Sequence, residues 1–400
     1  MRSSAEAPFP GEGAMRVRVA TLNVWALPEP FSERLTGRMK AIGARMAELD
    51  LDVMAFQEVW TPEARRLLRK AGYRAGLDHA WYKDSFLGGS GLLVLSRLPI
   101  EAKSFDRFML RGYPERIDHA DYYGGKGFVR IRVKTDQGPL TFIDTHLHAR
   151  YRQDVSHEYR GHRAGQVVQL GMASHETRDP IIVVGDFNFG EDQPEYTILT
   201  GLSRLRDVAA DLDRREQTVT TENAYRAGTK VDKRIDYIFA RDGSERGIAP
   251  IRVERIFDQP LEFRGRRASY SNHAGVLAEF EISETRRPFA APDRGAIELA
   301  AHLLSEGRAE SEERQQGRRA WAGIGFGCAA LASMGVRSVE VSRRRLLRRS
   351  LQCTALAALA PSVGLSILSE VFVPSEIQAF DALANRLTGI DPDAIAKFLT

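Results

Sequence analysis

Residues 181–191 read IIVVGDFNFGE: four β-branched aliphatics run into a glycine and then into Asp186 and Asn188, separated by one aromatic. A strand has a two-residue side-chain period, so the two polar residues are predicted on one side of a strand end. Gly, Asp and Asn are equally the residues of an ordinary turn. The same patterning recurs upstream. RVRVATLNVW alternates with period two, Met39, Ile42, Met46 and Leu49 recur at helical spacing, and LDVMAFQEVW reads as a second buried strand. SGLLVLS, GFVRIRVK, LTFIDTHLH, RIDYIFA, IRVERIF and AGVLAEFEI are further strand candidates, several joined by hairpin-length turns such as KTDQGPL. Crossover units mixed with hairpins predict an α/β fold, a layered sandwich of two mixed β-sheets flanked by helices, over residues 16–283.

After Glu281 the pattern changes. Residues 284–319 read as a polar helical linker, and residues 320–373 hold two uncharged runs, AWAGIGFGCAALASMGV and SLQCTALAALAPSVGLSILS, around an arginine-rich stretch. At ~1.5 Å per residue each run approaches a ~30 Å hydrocarbon span. The expectation is a C-terminal helical, membrane-associated appendage, a hairpin or re-entrant anchor, with residues 374–400 as a tail; a buried helical pair is the alternative.

A chain of 400 residues suits one large domain plus such an appendage. Cys328 and Cys353 stand in apolar surroundings and imply neither a disulfide framework nor a thiolate metal site. A balance of 57 basic against 53 acidic residues, net +4, is too even to argue for nucleic acid or an anionic membrane. The N-terminus lacks the apolar region and cleavage site of a secretory signal, and Met15 is a candidate start. By the positive-inside rule the arginine-rich loop belongs in the cytoplasm, which puts residues 16–283 outside; the missing signal argues the reverse. A re-entrant hairpin reconciles the two, and the expectation is catalysis on the cytoplasmic face of a membrane.

Polar groups recur at strand ends: Asn23, Glu58, His146 and His148, Asp186 and Asn188, Asp236, and His273. Each has a bland reading as a cap, a surface charge or a hydrogen-bonded core group. Together they carry only hydrolytic side chains, and strand ends of an α/β layer converge on one rim where active sites sit. Carboxylates with amide oxygens and water suit Mg²⁺. A nucleophilic cysteine, a G-x-S-x-G elbow, a Walker A loop and an H-E-x-x-H motif are all missing, which leaves water activated by a histidine as the nucleophile.

The ordered segments TLNVW, FQEVW, THLHA, VVGDFNF, RIDYIF and SNHAG resemble the endonuclease/exonuclease/phosphatase superfamily. LNVWALP, GGSGLLVLSRLPI, DYYGGKGF and the double histidine look like its neutral sphingomyelinase branch, as does an apolar pair of segments after the catalytic domain. The resemblance implies a Mg²⁺-dependent phosphodiesterase, with Mn²⁺ as the alternative metal and a phospholipid such as sphingomyelin as substrate. Glu58 and Asn23 would hold the metal, His273 would act as base and Asp236 would orient it. Asp186 and Asn188 would place the nucleophile, and His146 would donate to a phosphate oxygen. Lys126 and His148 are expected to contact phosphate or headgroup. The family's final motif is Ser-Asp-His, whereas this chain has Ser271, Asn272 and His273, so Asn272 offers the metal an oxygen without a charge. SRRRLLRRS is similar to a twin-arginine signal, and FDALANRLTGIDPDAIAKFL looks like small-subunit sequences of membrane sugar dehydrogenases, which implies a separate origin for roughly the last 60 residues.

Two other functions fit less well. A nuclease or inositol-phosphate phosphatase shares the fold, but no basic, aromatic-interleaved stripe supports nucleic acid. A non-catalytic membrane-tethered binding module draws its support from Asn272.

Overall fold

The computed structural model describes residues 15–84, 89–119, 121–151, 158–226, 231–284, 286–288, 290–338 and 345–391. Chain order begins β1 (Met15–Asn23), α1 (Leu35–Met46), β2 (Val53–Gln57), α2 (Pro62–Arg74), β3 (His79–Tyr82), β4 (Leu93–Ser96), β5 (Ile100–Arg107), β6 (Gly127–Thr135), β7 (Gly138–His146), α3 (Arg160–His175), β8 (Ile181–Asp186) and α4 (Pro194–Ser203). It continues with β9 (Arg206–Asp207), α5 (Val208–Asp211), β10 (Asp236–Arg241), β11 (Gly247–Ile256), β12 (Leu261–Phe263), β13 (Arg266–Ala268), β14 (Gly275–Ser283), α6 (Arg294–Ser338), α7 (Arg345–Ile367) and α8 (Val373–Thr388). Two six-stranded sheets, ordered β11-β14-β1-β2-β4-β3 and β5-β6-β7-β8-β10-β9, stack face to face, as the alternation of crossovers and hairpins predicts.

The runs of aliphatics follow from burial on both faces. In β8, Ile182 and Val184 point into the layer between the sheets, while Ile181 and Val183 point into a second core beneath α3, α4 and α6. In β1, Val17 and Val19 face the inter-sheet layer, and Ala20 and Leu22 pack under α1 and α2. Each strand thus feeds two cores, and no polar face is left to alternate. Gly185 is obligatory here: at φ 144° a Cβ would lie 1.9 Å from the Thr145 carbonyl oxygen of the neighbouring strand.

One polar bridge crosses the inter-sheet layer. Gln57 Nε2 on β2 donates to Thr21 Oγ1 at 2.9 Å and to Asp144 Oδ1 on β7 at 2.6 Å. Burial pushes the Asp144 carboxyl well above the usual carboxylate range, and the bridge lies between the strands that lead to Asn23, Glu58 and His146.

The segment expected to be a polar linker does more than link. The first half of α6 carries an apolar stripe of Ala296, Ile297, Ala300, Ala301 and Leu304 that enters the core against α3 and α4. Gly161 of α3 meets Gly307 of α6 almost backbone to backbone: a Cβ on Gly161 would lie 2.7 Å from the Gly307 Cα. The second half of α6 holds the first uncharged run and packs antiparallel on α7, with Gly335 against Leu351 and Gly325 against Ser362. Among the described residues only the stretch Arg345–Thr388 is long and apolar enough to cross a membrane. The first run, at ~26 Å, falls short of the span. After a π-helical turn over Leu368–Phe372 the chain returns, and Phe380, Leu383 and Leu387 of α8 bury in the domain core. Residues 374–400 therefore do not behave as a free tail up to Thr388, although 392–400 lie outside the described residues.

Gly307→Val should drive a methyl group into the Phe380 ring and the Gly161 backbone, costing about 1–3 kcal/mol as overpacking does. Thermal unfolding measures it. Gly317→Ala, which meets nothing within 4 Å, should be neutral or slightly stabilising. Equal effects at both sites would mean that α6 is not docked through Gly307.

Candidate functional site

Strand register assembles the site. In the second sheet, parallel pairing of β7 and β8 sets His146 beside Asp186, and antiparallel pairing of β8 and β10 sets Asp236 on the other side of Asp186. In the first sheet, β1 and β2 end together at Asn23 and Gln57, so Glu58 follows at the same edge. His273 precedes β14, which runs antiparallel to β1. These ends lie under a cavity of about 1630 Å³ lined by Glu58, Lys126, His146, Asp186, Asn188, Asn272 and His273 among others, with Asn23 and Asp236 buried behind its wall.

Asn23 Nδ2 bridges two carboxylates, donating to Glu58 Oε1 at 3.0 Å and to Asp186 Oδ2 at 2.9 Å. Its oxygen accepts the Trp25 N–H at 3.0 Å, so Asn23 turns its nitrogen toward the acids. His273 Nδ1 lies 2.9 Å from Asp236 Oδ2, which also accepts from Thr218 Oγ1 at 2.5 Å. A carboxylate only accepts, which keeps the proton on Nδ1 and leaves the Nε2 lone pair toward the Arg226 guanidinium at 3.1 Å. Burial pulls the His273 imidazole down, but Asp236 and Asp186 overcome it and lift it above its ordinary value. Burial and then the Asp236 charge push Asp186 up to about 6.

Lys126 is no mere turn residue. Buried, it pairs with Asp121 at 2.7 Å and donates to the Leu147 carbonyl at 2.7 Å and to His146 Nε2 at 3.0 Å. An ammonium only donates, so the His146 proton sits on Nδ1, a buried nitrogen with no partner. Burial and then the Lys126 charge hold that imidazole well below its usual range, so it stays neutral. Asn188 Nδ2 donates to the same Leu147 carbonyl at 3.0 Å. The strand ends at Asp186, and Asn188 adopts φ 52°, so the pair reaches the pocket through a left-handed kink rather than through a continued strand period. Trp25 and Glu58 are left-handed too, at φ 47° and 58°.

His148, expected to contact substrate, does not line the cavity. It is buried, and its Nδ1 lies 3.3 Å from Asp121 Oδ2. It supports Asp121 from behind, and burial holds its imidazole down at about 3. Asn272 lines the cavity beside His273 and accepts from Ser271 Oγ at 3.2 Å. Sequence reasoning missed Asp121, Thr218 and Arg226. Only Asp121 left a trace, in the glycine-rich stretch that holds Lys126.

Glu58, His146 and Asp186 each present a ligand atom within 4.8 Å of the other two, as do Asp186, Asp236 and His273. Asp236 Oδ1 is buried without a partner. Carboxylate oxygens concentrated in a half-dry pocket fit a hard divalent cation.

The Endonuclease/Exonuclease/phosphatase family matches residues 20–254. The chain is 32% identical over 276 residues to a putative neutral sphingomyelinase of Drosophila melanogaster, covering 67% of this chain and 61% of the fly protein. It is 28% identical over 242 residues to sphingomyelin phosphodiesterase 2 of Homo sapiens, covering 56% of each. Among solved structures, sphingomyelinase C from Streptomyces griseocarneus superposes with a TM-score of 0.51 at 19% identity, over 66% of this chain and 99% of that one. That likeness is one of fold. The chain spans about 61% of the length of the fly relative. Over half of its length matches one family, in the order of motifs that builds the cavity floor: the chain belongs to the endonuclease/exonuclease/phosphatase family.

Proposed function

We propose that the protein is a divalent-cation-dependent phosphodiesterase that hydrolyses a phosphosphingolipid such as sphingomyelin with water activated by His273, tethered to the membrane by the α6–α7 hairpin. The observation that carries this reading is the His273–Asp236 pair at 2.9 Å, whose imidazole lines the same cavity as Asp186 and Glu58 while Asp236 lies behind it. The relatives named as sphingomyelinases support the substrate class.

Glu58 and Asp186 would hold the cation, Mg²⁺ by the chemistry of their oxygens, which would supply positive charge against the scissile phosphate. Asn23 fixes both carboxylates in place through its amide hydrogens, and Asn272, which lines the same cavity, would offer an uncharged oxygen. Water replaces the Arg226 guanidinium at His273 Nε2, which takes its proton. Asp236 then stabilises the imidazolium and keeps its orientation. Asn188 offers its second amide hydrogen, His146 its Nδ1–H and Lys126 its positive charge where negative charge grows on the phosphate oxygens.

Purified protein should cleave sphingomyelin in mixed micelles with Mg²⁺ and lose the activity in chelator, with phosphatidylcholine and single-stranded DNA cleaved far more slowly. Equal or preferred cleavage of DNA overturns the substrate assignment.

Glu58→Gln should weaken Mg²⁺, and higher Mg²⁺ should recover part of the rate. Unchanged Mg²⁺ binding by isothermal titration calorimetry removes Glu58 from the metal site.

His273→Ala should retain Mg²⁺ binding and lose on the order of 10²- to 10⁴-fold in rate, as loss of a general base does. The base works only when neutral, and its raised proton affinity places the rising limb of the pH–rate profile above the ordinary histidine range. Asp236→Asn removes the charge that raises it, so the limb should move to lower pH while the plateau rate falls. An unmoved limb shows that another group titrates.

A further inference from the structure

Large apolar side chains exposed to solvent are concentrated in two places. Twelve lie on the paired second half of α6, α7 and the turn after it, from Trp321 to Val371. Of the eight elsewhere among the described residues, five stand at the mouth of the cavity: Phe31, Ile117, Tyr123, Tyr151 and Val231. Ile117 is 74% exposed, Phe31 71% and Val231 58%, so they stand proud of the rim rather than in its wall.

The charges of the hairpin fix where that rim lies along it. The uncharged runs 320–336 and 350–369 are aligned antiparallel. They are bounded at one end by the two-pronged Arg319–Glu370 pair, at 2.6 and 2.7 Å, and at the other by Arg337 on α6 and by Arg345, Arg348 and Arg349 on α7. At the Arg319 end the hairpin touches the segment that bears the rim. Arg318 pairs with Glu115, two residues from Ile117; Arg314 stacks over Tyr113 at 4.2 Å; and Phe372 meets Tyr122 edge to face at 6.2 Å. With ~1.5 Å of rise per residue, the first apolar turn of α6 at Trp321 lies within a few ångströms of the Arg318 level. Arginines and a tryptophan at the boundary of an apolar run are the residues that settle at a membrane–water interface.

We propose that the exposed rim of Phe31, Ile117, Tyr123 and Val231 is a lipid-contacting surface, held at the depth of the bilayer interface by the α6–α7 hairpin. The cavity then opens onto the membrane and takes a phosphodiester headgroup whose apolar part stays in the bilayer. A site opening to bulk water gains nothing from isoleucine and phenylalanine at its edge, and exposed apolar clusters of this kind mark contact surfaces. The headgroup part of this inference rests on the phosphodiesterase reading; the lipid contact does not.

The full chain reconstituted in phosphatidylcholine vesicles tests it. In a Trp321→Phe background, Ile117→Trp should add tryptophan emission that is quenched by bromine-labelled acyl chains. Absence of quenching overturns the proposal and leaves the rim to a protein partner. Ile117→Ser and Phe31→Ser should each slow cleavage of vesicle-embedded sphingomyelin roughly tenfold, the scale of losing one buried apolar side chain, with hydrolysis of water-soluble bis(p-nitrophenyl) phosphate unchanged. Parallel loss on both substrates, or loss on neither, also overturns it. If the parent protein cleaves neither substrate, the phosphodiesterase reading fails, and quenching at position 117 still decides the lipid contact.

Discussion

Two carboxylates that cannot avoid each other govern this molecule. Asp186 and Asp236 sit opposite one another in the β8–β10 register, both buried, so each folds into the other's field. Burial already disfavours a charged acid, and a like neighbour adds to the penalty, which is why Asp186 rises to about 6. Every polar group around the pair answers that constraint. His273 stands against both, Asn23 donates to one, Thr218 donates to the other, and the Lys126 ammonium is three ångströms from the His146 ring that flanks Asp186. The cation proposed at Glu58 and Asp186 would complete the compensation, and its affinity and the site's pH response would then share one origin.

The same edge stores backbone strain. Trp25, Glu58 and Asn188 all adopt left-handed conformations, which cost a non-glycine residue about 1 kcal/mol or more. The surroundings that hold them are rigid. Arg38, fully buried, donates to the Val24 and Trp25 carbonyls at 2.7 and 2.8 Å, and the Gln57–Asp144 bridge ties the two sheets directly below. Site geometry therefore depends on cross-sheet polar contacts as well as on apolar packing.

Much of this was legible in the sequence because strands buried on both faces write long aliphatic runs and end abruptly in polar residues. Asn23, Glu58, His146, Asp186, Asp236 and His273 announce themselves that way. Asp121, Thr218 and Arg226 do not, since they lie on irregular segments with no periodicity and reach the site only through tertiary contact. His148 carries the same side chain two positions beyond His146, and only its packing against Asp121 places it behind the cavity wall. The docking of α6 and α8 was hidden for a related reason. Their apolar stripes are narrow, with charged residues between, and small residues such as Gly307 carry close helix contact without a hydrophobic signal.

The return of α8 has a consequence for how the protein is made. Phe380, Leu383 and Leu387 close a core whose other walls, β7, β8 and α3, lie far earlier in the chain, between Gly138 and Asp186. A nascent chain that has delivered every residue of the cavity floor still exposes Leu110, Gly161 and Gly165 until the segment beyond the hairpin emerges. Contacts at such separation form late. The chain thus finishes its cavity-bearing domain only after its most apolar segment has been synthesised, which links completion of the fold to the placement of the hairpin.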